Sequence, residues 1–128
     1  MRFKYDRWLT WSLYASTLYN ALGAIGLALP EVFYPIVGVP TPTHPLYQAV
    51  TIMTVVLFGI GYFWLAYTGH RDRTFLAIAA LGKASFFGIF VVCWLGGYVP
   101  WMAPLGASGD LVFAVLFGLW LWENRNTA

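Results

Sequence analysis

Apolar residues fill this chain in four long, nearly unbroken stretches. The first runs from about Trp8 to Leu29, the second from about Tyr47 to Tyr67, the third from Phe75 to Tyr98 and the fourth from about Pro104 to Trp122. Each approaches the ~20 residues that a helix needs to cross a hydrocarbon core of ~30 Å. Strands of a membrane barrel would alternate apolar and polar positions, and these stretches do not. Backbone groups in lipid must bond within their own segment, so the pattern predicts four transmembrane helices. The predicted fold is all-α, a single four-helix transmembrane domain over residues 1–128.

The interruptions agree with this division. "GVPTPTHP" joins the first two stretches and is too rich in proline to be helical. "TGHRDRT" is a short polar turn, and "GGYVPWMAP" separates the third stretch from the fourth with glycine and proline. The first stretch is too long for a cleavable signal peptide, and no small-residue cleavage site follows "LALPEVFYP", so it is expected to stay in the protein.

Composition strengthens the membrane reading. Hydrophobic residues make up 60% of the chain and charged residues 9%, against about 25% charged in a soluble domain. The few basic residues are unevenly placed. Arg2, Lys4 and Arg7 precede the first helix, Arg71 and Arg73 lie in the second connection, and Arg125 lies in the tail. The other two connections contain neither Lys nor Arg. The positive-inside rule then predicts both termini in the cytoplasm, and the expected location is a bacterial-type inner (plasma) membrane. Trp8, Tyr47, Tyr67, Tyr98, Trp101, Trp120 and Trp122 fall where interfacial aromatic belts are expected. The net charge of +2 is topogenic and points to no nucleic acid.

Several chemistries find no support. The lone cysteine, Cys93, excludes an intrachain disulfide and a CxxC redox centre, and so argues against a thiol-shuttling enzyme of the vitamin K epoxide reductase kind. His44 and His70 fall on opposite predicted sides of the membrane and cannot share a metal within one chain. His44 is expected to face water, with capping of a cavity as the alternative. No glycine-rich phosphate loop, metal-ligand spacing or catalytic constellation is evident.

What remains is polar residues at membrane depth. At 1.5 Å per residue, Lys83 lies ~13 Å, Asp110 ~20 Å, Asn20 ~18 Å and Tyr62 ~8 Å from the cytoplasmic boundary. Ser12, Ser16, Asn20 and Gly23 share one face of the first helix, and Gln48, Thr51, Phe58 and Tyr62 roughly share one on the second. Gly106, Asp110, Ala114 and Gly118 form a small-residue ridge that turns Asp110 toward protein. A charge at the bilayer centre costs ~2.5–3.5 kcal/mol on insertion scales, so Lys83 and Asp110 are expected to belong to one network with Asn20 or Tyr62. Helical side chains lean toward their own N-terminus, so the two charged groups lean apart. A direct pair requires tilt or favourable rotamers; otherwise water or Asn20 bridges them. Such a network either fixes helix register or floors a cavity. The second reading places Asn20, Gln48, Tyr62, Lys83, Phe86, Phe87 and Asp110 at a ligand site, with Phe58, Phe90 and Phe113 as further lining. A flat or elongated apolar molecule with a polar head, such as a quinone, a sterol-like lipid or a fatty acyl chain, suits such a site.

The order "LYNALGAIGLALP", "LFGIGYFWLAYTGHRDR", "ALGKASFFGIF", "GDLVFAVLFGLWLW" resembles the small four-helix DoxX-like membrane proteins. The resemblance spans most of the chain and implies an accessory or redox-linked membrane subunit, as in the small partners of thiosulfate:quinone oxidoreductase. This chain differs in carrying Asn20 and no basic residue within its first helix. Three functions are expected to compete. One is binding of a quinone or lipid-like ligand in a polar-floored intramembrane pocket. Another is a non-catalytic accessory subunit, or a homo-oligomer, within a larger membrane complex. The third is a small proton- or ion-coupled transporter, which requires an oligomer.

Overall fold

The computed structural model describes residues 7–126; Arg2, Lys4 and the last two residues lie outside them. The described residues form six helices: α1 (Arg7–Ala28), α2 (Pro30–Val37), α3 (Pro45–Thr68), α4 (Arg73–Leu95), α5 (Met102–Gly106) and α6 (Ser108–Glu123). Two of them, α3 and α4, are each long and apolar enough to cross a membrane. A third candidate span is the bent pair α1 plus α2, whose axes differ by 108°.

Local chemistry sets the helix ends. Pro45 occupies the first turn of α3, where a missing N–H costs nothing. The His44 imidazole Nδ1 accepts from the Leu46 N–H at 3.2 Å, so this exposed histidine caps a helix. Gly69 ends α3 in the left-handed region at φ 73°, which favours glycine. Asp72 then caps α4 by accepting from the Phe75 N–H at 2.9 Å.

The two main packing partnerships are α1 with α3 and α4 with α6. Thr17 meets Gly59, Asn20 meets Val55 and Gln48 meets Leu27, so numbers rise along α1 as they fall along α3. The two helices are antiparallel. Lys83 with Asp110 and Arg73 with Asn124 show the same for α4 and α6. One end of the molecule therefore gathers Arg7, Arg71, Arg73 and Arg125. There Arg71 donates to the Thr10 hydroxyl at 2.6 Å, and Arg73 donates to the Asn124 carbonyl. Among the described residues, every Lys and Arg except Lys83 lies at this end. At the other end, Pro100 sits against Gly38 (φ 73°) and Val37 against Gly106.

The apolar core occupies the basic half, where Leu9, Leu13, Leu65, Leu76 and Phe117 are buried. Outward-facing residues are apolar too: Leu81 and Val92 are each 69% exposed. The buried set, by contrast, includes Ser12, Ser16, Asn20, Lys83 and Asp110. Apolar surface outside with polar side chains inside is the distribution of a membrane protein, because lipid solvates the first and only protein can satisfy the second.

Four sequence expectations change. Residues 30–37, expected as connection, form α2, with Pro30 in its first turn and Gly38 closing it. The third segment ends at Leu95 and not Tyr98, because Gly97 turns the chain at φ 79°. The fourth is broken at Ala107. In a continuous helix the Gly106 carbonyl would accept from the Asp110 N–H. It instead accepts from the Tyr19 hydroxyl at 2.9 Å, while the Asp110 N–H bonds to Ala107 at 3.1 Å. Trp120, expected at an interface, is only 5% exposed and packs in the core beneath Arg73, 6.0 Å from its ring centre.

Candidate functional site

Lys83, at mid-length of α4, is 5% exposed. Its ammonium donates to Asp110 Oδ1 at 2.8 Å and to Asn20 Oδ1 at 3.3 Å. The pair is direct although the two side chains lean apart. The four-carbon lysine stem spans the offset of ~7 Å between the two positions at 1.5 Å of rise per residue. Asp110 sits in the first turn of α6, where the positive end of the helix dipole favours a carboxylate.

Asn20 ties this pair to α3. Its Nδ2 donates to the Val55 carbonyl at 2.9 Å. The opposite amide orientation would set NH2 against the ammonium and oxygen against a carbonyl, so the network dictates the orientation. Gly59 permits the close approach: a Cβ there would lie 3.3 Å from Asn20 Cβ. One turn below on α1, the Thr17 hydroxyl shares its hydrogen between the Leu13 and Gly59 carbonyls at 3.0 and 3.3 Å.

Three aromatic rings cover the rest of the ammonium. Tyr62, Phe113 and Tyr19 have their centres 5.1, 5.2 and 5.5 Å from Nζ. Ring faces carry negative electrostatic character, so each stabilises the cation. Tyr19 is the residue that sequence reasoning missed. Its ring lies against Gly109, where a Cβ would come within 2.5 Å, and it meets Phe113 edge-on at 5.7 Å. Its bond to Gly106 fixes the end of α5, two residues before α6 begins, and so helps to hold Asp110 in the first turn of α6 beside Lys83. Its place next to Asn20 in sequence was the available signal.

Beyond this cluster, away from the basic end, lies a cavity of about 690 Å³. Lys83, Asp110, Asn20 and Tyr62 line it, with Phe58, Phe86 and Phe90 in its walls. The inner faces of α2 and α5 also border it, through Phe33, Val37 and Ala103 among others. The walls are mostly apolar. Five of the seven expected site residues thus gather around one space. Gln48 and Phe87 are not among the lining. Gln48 donates to the Leu27 carbonyl at 2.8 Å and so satisfies one of the last carbonyls of α1. Phe87, half-buried, is turned by the helical repeat away from the face that carries Phe86 and Phe90. Phe113 lies beneath Lys83 and not in the wall.

The helices α3 and α4 approach closely only near their shared turn. There Phe75 packs on Gly61, Phe58 and Tyr62. Farther along, Thr54 and Phe86 line the cavity and are also exposed, so the cavity has a side opening.

No family model matches this chain, and no curated protein or solved structure matches it either.

Proposed function

We propose that the protein is a four-span inner-membrane protein of DoxX-like type, with both termini cytoplasmic, that binds an elongated apolar molecule with a polar head. A quinone or a lipid is the kind of ligand meant. The observation that carries this reading is an apolar cavity of about 690 Å³ closed at one end by a buried Lys83–Asp110–Asn20 cluster. Its volume falls in the ~300–1,000 Å³ range of small-molecule sites, and a few convergent polar groups in an apolar wall are what such sites need.

The side opening between α3 and α4 supports access from the bilayer. The collected arginines support the orientation, through the positive-inside rule. In this reading the fourth span is α5 followed by α6, from Met102 to Glu123 with the break at Ala107 between them. The order of sequence features supports the DoxX-like grouping.

Gly82 offers a clean test. It lines the cavity, and a Cβ there would meet no atom within 4 Å. Gly82→Phe puts a ring into the space and removes a glycine from a helix, which favours the helix by ~0.5 kcal/mol. Protein purified in mild detergent should carry a stoichiometric apolar molecule, and Gly82→Phe should fold and lack it. A molecule retained equally by both proteins would place its site elsewhere. A stoichiometric protein partner with no small molecule would favour the accessory-subunit reading.

A further inference from the structure

Two opposite charges meet at the cavity floor. Lys83 brings one positive charge and Asp110 one negative, 2.8 Å apart. The ammonium has three N–H donors. One goes to Asp110 and one to Asn20, and three aromatic faces surround the group. The lysine is thus fully compensated. Asn20 uses one amide N–H on Val55, and its second N–H is free of that bond. The wall hydroxyls of Thr51 and Thr54 donate to carbonyls of their own helix, at 2.7 and 2.9 Å, and keep only lone pairs for anything else. Among these groups the spare donor is therefore the second Asn20 N–H, and Tyr62 and Tyr34, which also line the cavity, carry hydroxyl donors as well; the Lys83–Asp110 pair at the floor has no net charge.

Resting on the reading of this cavity as a ligand site, we propose that it takes a neutral hydrogen-bond-accepting head, a carbonyl of a long-chain ketone, ester or quinone-like ring, and rejects carboxylate and ammonium heads. A carboxylate would set a second negative charge beside a lysine already neutralised by Asp110. An ammonium would add a second positive charge beside Lys83. Either leaves an uncompensated charge in an apolar enclosure, which is strongly unfavourable. A carbonyl asks for one or two N–H donors and brings no charge.

The test uses the full chain in detergent and three probes of equal chain length: a methyl ketone, a fatty acid and an alkylamine, with binding read by native mass spectrometry at neutral pH. The ketone should bind the wild-type protein about tenfold or more tightly than either charged probe. Asp110→Asn makes the floor net positive, and the ranking should then turn toward the fatty acid. Should that variant fail to fold, the wild-type ranking alone decides. A fatty acid or an amine that matches or exceeds the ketone on wild-type protein overturns the proposal and leaves the ligand-site reading standing. Failure of all three probes to bind overturns both. The chemistry of any molecule that co-purifies tells an ester lipid from a free ketone or quinone ring, and either carries the head expected here, whereas a co-purified free acid or amine contradicts it.

Discussion

At the scale of single residues, the centre of the molecule is an ammonium with one carboxylate, one amide oxygen and three aromatic faces around it. Lys83 and Asp110 were legible in the sequence because a charge inside an apolar run stands out. Tyr19 was not, because a tyrosine in an apolar helix reads as core until its hydroxyl is seen on the Gly106 carbonyl at 2.9 Å. Removing one member of a buried ion pair typically costs ~3–5 kcal/mol, since the other charge is stranded. Lys83→Met and Asp110→Asn should each lower the thermal midpoint in detergent, and the double variant should recover much of the loss. Strictly additive losses would show that the two groups do not communicate. Tyr19→Phe should lose about 1 kcal/mol, the net worth of one hydrogen bond. Gly109→Ala should lose more than Tyr19→Phe, because its methyl would fall 2.5 Å from the Tyr19 ring.

At the scale of elements, the four apolar runs announced the long helices α1, α3, α4 and α6 to within a few residues. The sequence hid how their ends are finished. The helix α2 was concealed by Pro30 and Pro35, which resemble loop punctuation; Pro30 sits in the first turn, where no N–H is needed, and Pro35 lies inside the helix at the loss of one backbone hydrogen bond. The break at Ala107 was concealed because its cause is a tertiary hydrogen bond from α1. Trp120 looked interfacial by position, yet it belongs to the buried cluster of Leu9, Leu13, Leu76 and Phe117, with Arg73 over its ring. Contact between α1 and α3 depends on small size at Gly59. Gly59→Val should push Asn20 from the Val55 carbonyl and destabilise the protein, whereas Gly88→Ala, with no atom within 4 Å of the new methyl, should be neutral or slightly stabilising. Thermal unfolding of the two variants side by side checks this contrast.

At the scale of the whole molecule, the basic half is packed solid and the other half encloses space. That division was not readable from composition, because Phe58, Phe86 and Phe90 serve equally as core filling or cavity wall. Only the divergence of α3 from α4 beyond Phe75 decides between them. Topology is testable without knowing the ligand. With Cys93 replaced by alanine, single cysteines at Thr41 and Asn126 should react with an impermeant thiol reagent from opposite sides of an intact membrane. Reaction from the same side would remove the proposed orientation and require an odd number of spans. The central claim, that the space above Lys83 holds an apolar ligand by its polar head, is met most directly by an experimental map of the protein purified from its membrane. The account predicts an elongated feature between Phe58 and Phe86 with one end within hydrogen-bond distance of Asn20 or Lys83. A cavity closed by α3 and α4 packed against each other, with Lys83 and Asp110 still paired beneath it, would contradict the account and leave the network as a structural clamp.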